Sequence, residues 1–393
     1  MHQQTDALVV GGGVVGCACA YELARRGAKV VLLEREELAA GASGRNHGLL
    51  LSPLDPLMVP MARASTAMYE EVAAAAPLPI RLDARPIGFL LVAGDDDAER
   101  TAGRLEAEAA ANCGVRIEPL DRRALLDLEP ELSPDLSEGW LLEDARRVDP
   151  AALTVALALL ARQEGADVRT HVAVRALLAE GGRVRGVITD EGPAEAHTVV
   201  LAAGPWSAAL LRPLGHHLPV TGARGWLVHL APRRLPVTRV IGRAGWHSPP
   251  DPEGLSPTLA EEVMEAGPAT TTGTLLQPNA DGTVLVGGSR QATVAGEPED
   301  SSIPRKLLRD AIRLVPRLAE AAFLSAWWGV RPMTSDGLPI VGPAGDGLFL
   351  ATGHGSLGII LAGGTARLAT STILGQEAPF DAGPFAPDRF GPT

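Results

Sequence analysis

Apolar and polar positions follow two rhythms along this chain. At the start, an apolar run at 8–10 breaks into glycine, and small residues then repeat at helical spacing over 14–26. Gly27 ends that pattern, and a second apolar run, 29–33, leads to Glu34. The reading is strand, tight turn, helix, strand, acid. Residues 57–76 and the alanine- and glutamate-rich 98–112 predict helices, with a strand at 86–92 between them. A short helix stops near Pro130, and its charges read as a solvated face. Asp149 before Pro150 is an N-cap and first-turn pair that predicts a helix to Gln163. Strands are expected at 167–174, 183–189 and 198–201, the last running into Ala202, Ala203 and Gly204.

From 216 to 300 the rhythm changes to β-branched residues, glycine and proline, which predicts antiparallel strands, with a hairpin turn at Asp281 and Gly282. Within it, 242–272 reads as a long insertion or lid. A helix at 304–318, a strand at 348–351 and a glycine-rich turn opening a long helix complete the chain. The α/β stretches lie at both ends and in the middle. The expected fold class is therefore α/β: a Rossmann-like domain (1–80, 145–215 and 325–393) interleaved with an α+β domain built on an antiparallel sheet (81–144 and 216–324).

Composition narrows the function. With 393 residues and 46% hydrophobic positions the chain can bury large cores. A net charge of −12 argues against a nucleic-acid partner and against a basic lipid-binding patch. Cys17, Cys19 and Cys113 have no metal-ligand spacing, so no metal is expected, and the first two read as packing residues. The first ten residues lack the charged n-region of a signal peptide, and no apolar run reaches the roughly 18 residues of a membrane span. The expectation is a cytoplasmic protein.

The candidate chemistry starts at Gly11, Gly13 and Gly16, which fit G-x-G-x-x-G with Val14 and Val15 opening the helix. One glycine permits the turn, one lets the backbone approach a pyrophosphate, and one lets helix and strand pack closely. Glu34 can accept hydrogen bonds from a ribose. This stretch alone leaves NAD and FAD open. Further loops dense in glycine and donors occur at 41–48, 202–204 and 353–358.

Taken in order, GGGVVG with Glu34, GASGRNHG, VDP, VVLAAGPWS, GVRPMTSDGLPIVG and GHGSLGI resemble the FAD-dependent amine and amino-acid oxidoreductases of the D-amino-acid oxidase superfamily. The bacterial D-amino-acid dehydrogenases look most alike, with glycine oxidase and D-hydroxyproline dehydrogenase types more distant. The resemblance implies non-covalent FAD in the Rossmann-like domain and a substrate domain roofing it. It implies that Gly11, Gly13, Val14, Val15 and Gly16 hold the pyrophosphate and that Glu34 and Arg35 lie at the adenosine. It places Ser43, Gly44, Arg45, Asn46, His47 and Gly48 along the flavin. Val174, Ala203, Gly204 and Trp206 would add nucleotide contacts. Gly353, Gly355, Ser356, Leu357 and Gly358 would meet the pyrimidine end of the ring.

The same resemblance implies that Arg331 faces a substrate carboxylate, with His354 and His47 as candidates to hold or move a proton. The implied reaction oxidises an amino or imino acid at its C–N bond, a hydride passing from Cα to flavin N5 and the imine then hydrolysing. Oxygen, a quinone or a protein would accept the electrons. A 2-hydroxy acid or larger secondary amine as substrate, or a flavin-binding electron-transfer subunit, are the alternatives. Two departures count against glycine as substrate: TLLQP lacks the tyrosine several members carry there, and Ser356 stands where glycine oxidase types have arginine. Trp327 and Trp328 read as core or domain-interface residues.

Overall fold

The computed structural model describes residues 5–245, 270–293 and 302–391. Two eight-stranded sheets organise them. The first takes strands from widely separated parts of the chain. Thr5–Val10 lies at its centre, parallel to Val30–Leu33 on one side and Gly192–Leu201 on the other. Asp167–Arg169 extends it beyond Val30–Leu33, and Leu348–Thr352 and Ile340–Pro343 extend it beyond Gly192–Leu201.

Helices Val14–Arg25, Pro150–Gln163 and Gly358–Ile373 pack together on one face, with Val59–Ala75 outside them. Small residues allow the close approach: Cys17, Ala18, Cys19 and Ala20 are fully buried, and the two cysteines serve as apolar filler. Burial pushes the Cys19 thiol up to about 12, so it is inert as a nucleophile. The first helix stops because Gly27, at φ +85, takes the left-handed turn that lets its N–H bond Ala24. Asp149 caps the helix behind it, accepting from Ala151 and Ala152 N–H at 3.1 and 2.9 Å.

The second sheet runs Ala322–Thr334, Val220–Ala231, Val284–Thr293, Thr270–Pro278, Val240–Arg243, Phe89–Ala93, Glu138–Leu142, Ile117–Asp121. All its pairings are antiparallel except Val240–Arg243 beside Phe89–Ala93. Helix Ser302–Leu314 covers it with Ile303, Leu307, Ala311 and Leu314, a stripe at helical spacing. The Asp281–Gly282 turn forms as expected: Gly282 has φ +84 and Asn279 N–H bonds Thr283 O at 2.8 Å.

Several elements differ from expectation. The strand expected at 167–174 is two strands, Asp167–Arg169 and Val174–Glu180, which join different neighbours. His171, at φ +60, turns the chain between them, and Val172 N–H bonds Glu34 O. The strand expected at 198–201 begins at Gly192. Ile117–Asp121, Glu138–Leu142 and Ala322–Thr334 were not anticipated as strands. The first and last are the two sheet edges, where Pro119 and Pro332 are tolerated because an edge N–H need not pair. Of the stretch 242–272, residues 246–269 lie outside the described residues.

Candidate functional site

The carboxyl ends of the parallel strands Thr5–Val10, Val30–Leu33 and Gly192–Leu201 open on a cavity of about 1080 Å³, which extends to the second sheet. Open α/β sheets bind ligands at this end. The volume is at the top of the roughly 300–1,000 Å³ of small-molecule sites, as a dinucleotide plus substrate requires.

Gly11, Gly13, Val14 and Val15 line this cavity. Gly11 has φ +112, and a Cβ on it would lie 2.6 Å from Ala202 O, so only glycine fits. A Cβ on Gly16 would run into the Gly11 carbonyl. Gly16 therefore does not line the cavity but lets helix sit on strand. The first turn of Val14–Arg25 has no acidic side chain, so its positive end is open to an anionic ligand. Ser43 Oγ accepts from Val14 N–H at 2.9 Å and ties the loop 41–48 to this helix end.

Glu34 closes the same turn from the other side. Its carboxylate accepts from Gly12 N–H at 2.6 Å and Glu36 N–H at 2.9 Å. Each oxygen keeps further acceptor capacity for ligand hydroxyls. Beside it the Arg35 guanidinium lies 4.1 Å from the centre of the Trp206 ring, and Val174, Ala203 and Gly204 complete this end. These residues fit the adenosine diphosphate half of a dinucleotide: backbone approach at Gly11, N–H groups at a helix start, and an acid within the same cavity.

The loop 41–48 is held by its own side chains. Asn46 Nδ2 donates to Ala42 O and Ser43 O at 2.9 and 2.8 Å, and its Oδ1 accepts from Gly48 N–H at 2.7 Å. Asn46 thus shapes the cavity wall with its side chain fully engaged. Gly48, at φ +67, sits against Val148 O. Gly44 packs on Ala39 away from the cavity. Arg45 is exposed at the cavity edge, its Nη1 donating to Trp328 O at 3.4 Å.

The second sheet supplies the opposite wall. Arg331 lines the cavity, its guanidinium lying over Gly225, where any Cβ would collide with it. Arg331 Nη1 donates to Ser289 O at 3.1 Å, and among the described residues it has no carboxylate partner. Burial, helped by repulsion from Arg290, pushes its pKa down to about 10, so it stays cationic at neutral pH. His47 packs against Gly287, with its Nε2 buried and without a hydrogen-bond partner among the described residues. Burial and then the Arg331 charge push its pKa down to about 3, which keeps the imidazole neutral.

The third wall is the turn before the last helix. Gly353 and Gly355 have φ +74 and +54, a path closed to other residues without strain. His354, 3% exposed, lies within hydrogen-bond distance of Thr365 Oγ1 through Nε2 at 2.8 Å, and burial pushes its pKa down to about 4. Gly355, Ser356 and Gly358 line the cavity, and a 3-10 turn, Gly355–Leu357, runs into helix Gly358–Ile373.

Among the candidate cofactor-binding and catalytic residues, only Gly16, Gly44, Gly353 and Leu357 do not line this cavity. Trp328, expected in a core or interface, does line it, while Trp327 packs edge-on against His229. Sequence reasoning missed Arg290 and Ser289. The available signal was a lone arginine closing the apolar and glycine run VLVGGSR.

Comparison with known proteins agrees with this architecture. A family model described as DAO, FAD dependent oxidoreductase, matches residues 6–372. Glycine oxidase of Pseudomonas putida is 28% identical over 393 residues, covering 98% of each chain. D-amino acid dehydrogenase of Rhizobium johnstonii is 30% identical over 445 residues, covering 98% of this chain and 99% of its own. The crystal structure of glycine oxidase from Geobacillus kaustophilus superposes with a TM-score of 0.83 at 26% identity, covering 98% of this chain and 99% of that one.

Proposed function

The chain belongs to the DAO family of FAD-dependent oxidoreductases, and from that premise we propose that it oxidises an amino or imino acid at its C–N bond. Its fold is the Rossmann-like sheet interleaved with an antiparallel sheet, and its cofactor is FAD. The observation that carries the substrate reading is Arg331: a half-buried guanidinium on the cavity wall with no carboxylate partner among the described residues. Such a group is costly unless a ligand anion meets it, and its planar fork suits a carboxylate.

FAD, when bound, supplies the two-electron acceptor for the substrate α-hydrogen. The protein's share is orientation and charge. Arg331 fixes the carboxylate, with Gly225 leaving room for the guanidinium. His47 is neutral, and with its Nε2 enclosed against Gly287 it shapes the cavity wall beside Arg331. His354 serves as a positioning residue, tying the glycine turn to Thr365. The nucleotide contacts assigned to Gly11, Gly13, Glu34, Ser43 and Val174 belong to this reading, as does the division into an FAD-binding unit (1–80, 145–215, 325–393) and a substrate-binding unit (81–144, 216–324). The three walls and the loop 41–48 lie on one cavity, and that supports both.

The test is anaerobic bleaching of the flavin in the purified holoenzyme by a panel of amino acids of both hands, secondary amino acids and 2-hydroxy acids. Bleaching by amino or imino acids is expected. Bleaching by hydroxy acids alone, or by nothing in the panel, would sink the reading.

A further inference from the structure

Arg331 is not the only unmet cation on this wall. In the sheet, Arg331 pairs with Ala223, and Ala223 pairs on its other side with Ala292. Cross-strand partners share a face, and side chains alternate along a strand, so Arg290, two residues before Ala292, lies on the same face as Arg331. Arg290 also lines the cavity. Among the described residues its guanidinium has neither a hydrogen bond nor an ion pair, while Arg331 spends one donor on Ser289 O. The nearby acids on the cavity wall are committed elsewhere. Asp310 sits 3.6 Å from Arg309 and 3.8 Å from Arg313. Arg243 is held by Glu99 at 2.6 Å. His47, on the loop 41–48 and packed against Gly287, is neutral.

Resting on the amino-acid reading above, we propose that Arg290 and Arg331 form a two-carboxylate cradle and that the substrate is an amino or imino acid bearing a second carboxylate. Two like charges held near one another on a half-buried wall oppose folding and are compensated by two ligand anions. One α-carboxylate satisfies Arg331 and leaves Arg290 half-buried and unpaired, which discriminates against monocarboxylic amino acids. A substrate with a second carboxylate engages both. Each guanidinium offers a parallel pair of donors, so the cradle also fixes which carbon faces the flavin side of the cavity.

The test uses the holoenzyme. Flavin reduction by aspartate, glutamate and an N-carboxymethyl amino acid is compared with that by their uncharged isosteres, in wild type and Arg290→Met. The diacid is expected to be preferred in kcat/KM, and the ratio of diacid to isostere is expected to fall by roughly fiftyfold in the variant, the scale of a charge-assisted pair. An absent preference in wild type, or an equal loss for both substrates, overturns the proposal; the latter means both arginines share one carboxylate. Thermal shifts with glutarate and succinate against butyrate give a readout without turnover: the diacids should stabilise wild type more, and Arg290→Lys should retain part of that difference. Oxidation of amino acids without diacid preference sinks only this inference. Stabilisation by diacids with no amino acid oxidised sinks the amino-acid reading and this substrate with it, leaving an anion cradle.

Discussion

The guanidinium of Arg331 lies over Gly225, its neighbour on the adjacent strand, in space that any side chain at 225 would fill. Gly225 faces Gly329 in the register, so the sheet is bare where the arginine folds over it. A cation on a sheet thus becomes a cation aimed into a cavity.

Gly225→Ala is expected to displace that guanidinium and raise KM for a carboxylate substrate with FAD content unchanged. Arg331→Met should go further, losing about 3 kcal/mol of charge-assisted bonding, on the order of a hundredfold in KM. Steady-state kinetics on flavin-replete enzyme check both. An unchanged KM in Arg331→Met would count against the carboxylate anchor.

Gly11→Ala is expected to abolish FAD retention, because its Cβ would meet Ala202 O and its φ of +112 excludes alanine. Ser43→Ala removes the acceptor for Val14 N–H together with a hydroxyl on the cavity wall, and should cost about 1 kcal/mol of stability and weaken FAD retention without abolishing it. Visible flavin absorbance after desalting separates the two.

Acid should unfold this protein through its neutral histidines. His47 and His354 have pKa values pushed down to about 3 and 4, below the ordinary 6.5. The unfolded chain therefore binds more protons below pH 6.5, and stability rises with pH across that window. Tm is expected to fall as pH drops from about 6.5 toward 4, and His354→Gln should blunt the fall. A flat Tm over that range would contradict the burial of these rings.

Tyr69 joins helix Val59–Ala75 to helix Gly358–Ile373 by donating to Ile359 O at 2.6 Å in a fully buried position. Tyr69→Phe leaves that carbonyl short of a partner and should cost about 1–3 kcal/mol. Denaturant midpoints measure it, and because the bond lies at the start of the helix behind the glycine turn, FAD affinity is expected to weaken as well.

Much of this was legible along the chain. The glycine turn, Glu34, the Asp149 cap and the Asp281–Gly282 hairpin are local devices, each needing only its own few residues to be recognised. The edge strand Ala322–Thr334 was not legible, because glycine and proline mask a strand that sheet neighbours stabilise. Nor was the role of Asn46, whose side chain turns back on its own loop.

The cofactor-binding architecture is written in local stretches, because backbone freedom at glycine and periodicity of apolar positions need only a few neighbouring residues. What faces the substrate space depends instead on how distant strands come together. Arg290, Arg331 and His47 are distant in sequence. Strand register and the bare glycines at 225 and 287 bring them to one wall, and burial then sets their charge states. Which cations find partners depends on neighbours across the sheet, and no window of sequence contains them.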